Sequence, residues 1–436
     1  IFKAIKSFCV QDLFGMKKFG LFVLVAGSLL VACTGATDPE DKTENGDEPG
    51  PSSSALEEIL VTDWEAEGNK ENGPTKKILP RVGLPAAGFY KSVEIPVPSP
   101  TTEGGVVRCT FGGDEPTAST DEMTAPVTVD SSMVVRCKEF LQDSVVASAT
   151  ETYFIGESVA MPVVAVTVPN WYYKNILKAD PCKPDPCSDA AFWLDTAVTA
   201  HVEYFAEGSS SIGKGFEIDA EASIMGGYSR NQKKKSVSFK MKKDIQKGHF
   251  RYPLFDTRAF QKKFKGFILR NNGNRFVSDY LEDAMGTSLL EGTQVDYQRS
   301  RQVVVFYNGH YYGIHDMREK LNEHFVETNY GIDAGAVDFV KHTNMTIEAS
   351  GGTIDDYVDL LNYISASDFT GENNEAYKIV KSRVNMQSLM EYLAAEIYYH
   401  NGDWPDNNLR AWRSGTQNWK FVAFDLDHGF DWEWGV

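Results

Sequence analysis

Two acidic segments flanking a short β-ribbon constrain this chain most. Asp403 and Asn408 lie in NGDWPDNN (401–408), and Asp425 and Asp427 lie in WKFVAFDLDHGF (419–430). Between them, LRAWR and WKFVAF are strand-like runs joined at Ser414-Gly415-Thr416. A hairpin returns its two ends to one place. Asn408, opening one strand, and Asp425, closing the other, are therefore expected side by side. Asp427, two residues on in an extended segment, is expected to face the same way as Asp425. One Asn with few carboxylates suits Mg²⁺, which takes oxygen donors and keeps positions open for phosphate oxygens. NGDWPDNN alone reads better as a turn, which favours Asp and Asn. The second acidic segment at this spacing outweighs that reading.

The 436 residues are enough for more than one domain, and 42% hydrophobic content supports sizeable cores. A formal charge of −18 argues against a nucleic-acid binder, which needs a basic face. Residues 1–15 precede Met16 and read as upstream translation. Met16-Lys17-Lys18 and the apolar run Phe19–Ala32 then lead to Leu30-Val31-Ala32-Cys33, which resembles a bacterial lipoprotein box. The apolar run is shorter than the roughly 18 residues of a spanning helix. The resemblance implies cleavage before Cys33, lipid on its sulfur and attachment to a membrane. With Thr34 next, it implies an outer-membrane or cell-surface location. Residues 1–33 are thus assigned to upstream residues plus signal, and the acidic, Gly-, Pro- and Ser-rich stretch 34–74 to a disordered tether.

Export makes disulfides plausible among the remaining cysteines. Cys109 (VVRCTF) and Cys137 (VVRCKE) sit on similar strands and are paired, and Cys182 with Cys187 would close a small loop. A zinc site ranks lower, because no His lies nearby.

Residues 75–157 read as an all-β module of short strands between Gly, Pro, Asp and Ser turns. GFYKSVEI, FGGDEPTAS and APVTVDSSMVVRCKEF together resemble the small immunoglobulin-like sandwich at the C-terminus of chitobiases and hexosaminidases. Its expected role is a spacer. Residues 160–436 read as the α+β main domain, with strands first, then helices, then the acidic ribbon. Asn308-Gly309 marks a tight hairpin turn. A helix is expected from Glu319 to Asn329, stopped by Gly331, and another from a Thr353–Asp356 cap to about Ile364. Met386, Leu389, Leu393 and Ile397 form a helical stripe ending before Asn401.

From about residue 160 onward the chain resembles the CotH-type kinase family, named for spore coat protein H. MPVVAVTV, MGGYSRNQKKKSVSFK, VVVFYNGHYYGIHDMREKLNEHFVETNYGID and NGDWPDNNLRAWR…WKFVAFDLDHGF carry the likeness. The resemblance implies a two-lobed atypical protein-kinase-like fold that transfers the ATP γ-phosphate to protein serine, with Mg²⁺ or Mn²⁺. It implies Asp403 as catalytic base, Asn408 and Asp425 as metal ligands with Asp427 completing the site, and Lys235 as the phosphate-binding lysine. Arg230, Arg318 and Glu319 join the expected cofactor-binding residues; the last two match the family's REK, just after the hairpin. Met225 stands where the family has Arg, and Gly227 where it has Asn, which removes a phosphate-facing cation. Family members usually continue past this point, so further residues are expected after Val436. An extracytoplasmic kinase would also meet little ATP. A second reading is therefore a kinase-like surface module for adhesion or polysaccharide binding, with a surface glycan as partner.

Overall fold

The computed structural model describes residues 79–182, 190–245, 248–273, 280–344, 346–370, 374–405 and 407–430. Cys33, the signal, the tether and Cys187 lie outside the described residues. Thr75–Val436 forms one compact unit.

The unit begins with a small sandwich. Strands β1 (Gly88–Tyr90), β3 (Val106–Phe111), β5 (Met133–Leu141) and β6 (Ser144–Ile155) form a four-stranded sheet in the order β1-β6-β5-β3. Strands β2 (Val93–Ile95) and β4 (Val127–Val129) make a two-stranded partner sheet. Ile95 and Val129 from the small sheet pack with Val107, Val135, Ala147 and Tyr153 from the large one. Cys109 and Cys137 face each other in the β3–β5 register and are joined by a disulfide. Cys182 is also disulfide-bonded.

The GGDEPT turn after β3 docks the sandwich against Val168, Asn170 and Asn308. Asp114 accepts from Asn170 N at 2.9 Å and Asn170 Nδ2 at 2.8 Å. Gly113 is required there, because a Cβ would collide with Val168 O and Asn308 Nδ2. A second junction is ionic. Lys214 Nζ lies 2.9 Å from Glu151 of β6 and 3.2 Å from the fully buried Glu203, and Arg81 bridges Glu151 to Glu217. His201, Glu203 and Glu217 are close enough to hold a metal, but Lys214 already supplies their cation.

Seven strands then close a barrel. In chain order they are β7 (Val163–Thr167), β8 (Ala197–Phe205), β9 (Phe216–Met225), β10 (Ser236–Lys240), β13 (Gly266–Arg270), β15 (Ser300–Tyr307) and β16 (His310–Glu319). The two-residue strands β11 (Phe250–Arg251) and β12 (Lys263–Phe264) pair beside it. Alternation puts Val237, Phe239, Phe267, Leu269 and Met317 inside. Asn308 and Gly309 have φ of +52° and +82°, as a two-residue turn between β15 and β16 requires.

A second sheet comes next in the chain, in the order β14-β20-β19-β17-β18: β14 (Asp296–Tyr297), β17 (Val337–Thr343), β18 (Thr346–Gly351), β19 (Arg410–Ser414) and β20 (Gln417–Ala423). Around it lie helices α1 (Glu282–Ser288), α2 (Glu323–Tyr330), α3 (Asp355–Ala366), α4 (Glu375–Arg383) and α5 (Met386–Tyr399). The mixed helix-and-strand content agrees with the α+β expectation.

Three local expectations need correction. The helix expected at Glu319 begins at Glu323, where the Asn322 side chain accepts from His324 N; Glu319 itself ends β16. Helix α3 is preceded by Ile354, whose side chain caps nothing, and the Thr353 hydroxyl oxygen one residue earlier accepts from Asp355 N at 3.4 Å. Helix α5 buries Ser388, Tyr392, Glu396 and Tyr399, whereas Ile397 is 61% exposed. Its inward face is thus rotated away from the aliphatic stripe, because Tyr and Glu there find hydrogen-bond partners inside.

Candidate functional site: the acidic end of the β19–β20 ribbon

The ribbon forms where the sequence places it. Arg410 pairs with Val422 near its open end, so Asn408 and Asp425 each sit two or more residues beyond that pair, on opposite arms. Both have left-handed backbones, with φ of +56° and +59°. Asn and Asp tolerate that region better than other residues with a side chain, and such strain concentrates at functional sites. The left-handed turn at Asp425 also breaks the extended segment expected there. Asp425 and Asp427 meet through a shared partner instead of by strand alternation.

That partner is Arg270, the last residue of β13. Its Nη2 donates to Asp425 and, at 3.1 Å, to Asp427, which is 4% exposed at the side chain. Its Nε lies 3.2 Å from Asp283 of α1. Asp283 also receives Arg318 Nη1 at 2.8 Å and accepts from Leu426 N at 2.9 Å. Arg318 Nη2 reaches Asp316 at 2.9 Å. Two arginines and four aspartates thus clamp the ribbon to the barrel. Burial alone would raise the Asp283 pKa, but Arg318 and Arg270 hold it below its ordinary value. Burial likewise opposes the Arg270 charge, and Asp425, Asp283 and Asp427 more than restore it.

Asp403 lies on the other arm. Its two carboxylate oxygens accept from Asn407 Nδ2 at 3.0 Å and Asn408 Nδ2 at 3.1 Å. Among the described residues no donor reaches Asn408 Oδ1, which leaves that oxygen for a ligand. Behind the loop, Asn401 Nδ2 donates to Glu396 at 2.9 Å, and Asp403 N approaches Asn401 Oδ1 at 3.4 Å. Burial pushes Glu396 up to about 7. The oxygen donors of Asn408, Asp425 and Asp427 are of the type a hard divalent ion takes. A guanidinium already seated on the two aspartates marks the spot as one that stabilises positive charge.

Arg270, Asp283, Arg410 and Glu396 were missed by sequence reasoning. Arg410 packs 4.5 Å over the Phe424 ring, and its buried Nε has no hydrogen-bond partner among the described residues. Burial lowers its pKa to about 10, against the pull of Asp425. The signal available for Arg270 was RNNG (270–273), a turn-forming run directly after an apolar strand. A Cβ on Gly273 would strike Asp427 and Arg270, so this turn packs against the acidic arm.

Of the four expected cofactor residues, Lys235, Arg230 and Glu319 are engaged elsewhere, and Arg318 lies behind the ribbon on Asp283. Lys235 immediately precedes β10 and is fully buried. Its Nζ donates to Arg230 O at 2.9 Å and Gln232 O at 2.7 Å and lies 3.8 Å from the Phe192 ring centroid. Burial lowers its pKa to about 8. This ammonium closes the 230–235 turn, where two carbonyls hold it. Arg230 donates to Gly226 O at 2.7 Å and to Asp195 at 3.3 Å. Arg318 is fully buried in the aspartate network, and Glu319 holds Arg299 at 2.7 Å and Asn329 at 3.0 Å. Both belong to β16 itself, not to a connection after it.

No curated protein matches the chain. Residues 222–435, from within β9 through the acidic ribbon, match the family model described as CotH kinase protein, which supports the CotH family and a kinase-type function for this stretch.

Proposed function

We propose that this protein is a CotH-like protein kinase that moves the γ-phosphate of ATP to a protein serine. Asp403 accepts the serine hydroxyl proton, and the Asn407 and Asn408 amides fix its two oxygens in place. Asn408 Oδ1, Asp425 and Asp427 would hold Mg²⁺ or Mn²⁺, which supplies charge neutralisation for the phosphates. The observation that carries the reading is the convergence of Asp425 and Asp427 on a single cationic group, Arg270, at the end of a ribbon whose other arm carries Asn408 and Asp403. We further propose that the protein works as an exported lipoprotein, held to a membrane through Cys33, with the sandwich as its spacer.

The test is transfer of label from γ-labelled ATP to the purified protein or to an added serine protein, with Mg²⁺ or Mn²⁺. Asp403→Ala should abolish it. Equal incorporation by the parent and Asp403→Ala would refute the assignment. A second reading draws on Lys235, whose ammonium is occupied by two carbonyls. On that reading the fold is a catalytically weak surface module for adhesion or polysaccharide. Glycan binding that survives Asp425→Ala, in a parent showing no thermal shift with Mg²⁺·ATP, would favour it.

A further inference from the structure

One outward face of the barrel connects the acidic ribbon to a second charged site. Because Val237, Phe239, Phe267, Leu269 and Met317 point inward, their neighbours Ser236, Ser238, Lys240, Ile268, Arg270, Asp316 and Arg318 point outward. At the Arg270 end this face meets the aspartates. At the other end, Lys240 pairs with Gly266 and Phe267 with Glu319. There the strand ends and α2 enclose a cleft of about 90 Å³, lined in part by Lys240, Lys265, Lys320 and His324. The two ends are separated by the length of β13, about 13 Å at 3.3 Å per residue.

The cleft is cationic without a matching anion. Lys320 Nζ has one neutral partner, Ser238 Oγ at 2.9 Å. Among the described residues, none of the three lysines forms an ion pair. Of the acids nearby, Glu319 and Glu221 are committed elsewhere, and Glu323, outside the cleft lining, keeps one buried oxygen without a hydrogen-bond partner among the described residues. Glu319 is turned to Arg299 and Asn329. Glu221, opposite Lys240 in the β9–β10 register, is paired with Lys242. His324 lies 2.9 Å from Glu327 and 3.5 Å from Glu323. Burial lowers the Lys320 pKa and Lys240 lowers it further, while Glu221 and Glu323 offset part of this. A half-buried ammonium beside a second one costs stability unless an anion arrives.

We infer that Lys320, with Lys240 and Lys265, forms a binding site for a phosphate-bearing anion at the Gly266 end of this face, separate from the metal-ligand set on the ribbon. The site goes beyond the kinase reading and does not depend on it. Lysine binds phosphate as a point charge and needs no metal to do so. The ligand is either a free polyphosphate or the phosphate chain of a nucleotide.

The experiment is thermal shift and titration calorimetry on the full chain in EDTA, with inorganic tripolyphosphate and, separately, ATP. Both should bind in the absence of metal, and binding should weaken as salt rises. Lys320→Met should weaken binding at least tenfold. Without ligand it should melt no lower than the parent, because an uncompensated charge has been removed. Lys320→Arg should retain binding. Tighter binding of ATP than of tripolyphosphate identifies a nucleotide ligand, and equal binding identifies a free polyphosphate. If the parent shows no metal-free binding, or if Lys320→Met and Lys240→Met both bind like the parent, the site does not exist. Failure of serine phosphorylation would leave these titrations unaffected, so the two ideas fall separately.

Discussion

Replacing Arg270 with Met tests the electrostatic logic of the ribbon directly. The substitution preserves most of the side-chain volume and removes the guanidinium that touches both Asp425 and Asp427. Removing one partner of a buried ion pair typically costs about 3–5 kcal/mol, because the other charge stays buried. Two features pull the expectation to the low end. The Asp425 side chain is 25% exposed, so water screens it, and Asp283 keeps Arg318 at 2.8 Å. We expect a loss of about 3 kcal/mol in EDTA. In a unit of this size that is a fall in melting temperature of about 4 °C. Magnesium should then reverse it. With Arg270 gone, its guanidinium no longer competes for Asp425 and Asp427, and an ion at about a hundred times its dissociation constant returns about 2.7 kcal/mol. The parent should gain less, because there the ion must displace a bound cation. The assay is differential scanning calorimetry of both proteins in EDTA and in saturating MgCl₂. A variant that melts like the parent in EDTA would show that Arg270 does not hold these charges. A variant that is destabilised but unmoved by Mg²⁺ would show that the aspartates are not a cation site.

Three other outcomes are expected on the same physical grounds. Glu396 is raised from 4.5 to about 7 by burial, so the folded state keeps a proton that the unfolded state releases. Its stabilising contribution is full below about pH 4.5 and is lost as pH rises through about 7, a swing of about 3 kcal/mol; urea titrations should show Glu396→Gln flattening that slope and gaining stability over the parent at about pH 8. Lys235→Met should lose about 2 kcal/mol, because Arg230 O and Gln232 O lose a buried donor. Its dissociation constant for Mg²⁺·ATP, measured where both proteins are folded, should remain within about twofold of the parent's, and a larger change would return Lys235 to the phosphates. Gly113→Ala should destabilise the junction by about 2–3 kcal/mol, since the added methyl meets backbone at Val168 and the Asn308 amide together; unchanged thermal melting would show that the turn is not held there.

What could be read from the sequence was local. Asn308-Gly309 specified its own turn, the runs 410–414 and 417–423 specified a ribbon, and the ends of that ribbon had to return together. What could not be read was any pairing that depends on the barrel closing. Arg270 and Asp425 lie 155 residues apart, and neither sits in a periodic pattern. The α5 stripe was misplaced for a related reason. Leu389, Leu393 and Ile397 look like the inward face on hydrophobicity alone, yet Ser388, Tyr392 and Glu396 are inward because Phe421 N, Trp404 Nε1 and Asn401 Nδ2 meet them there.

The lysines make the same point from the opposite side. Lys233, Lys234 and Lys235 form a conspicuous basic run, and spacing favours one of them as the phosphate contact. The fold consumes two of the three: Lys234 donates to Ile314 O and lies 4.4 Å from the Tyr280 ring centroid, and Lys235 closes its own turn. A cation already satisfied by carbonyls gains little from a phosphate, because each new bond replaces an existing one. Lys320 is less conspicuous in the sequence, but it holds one hydroxyl and faces two other lysines, so an incoming anion replaces almost nothing. For a polyanion, the preferred ammonium is therefore the one the fold leaves least satisfied.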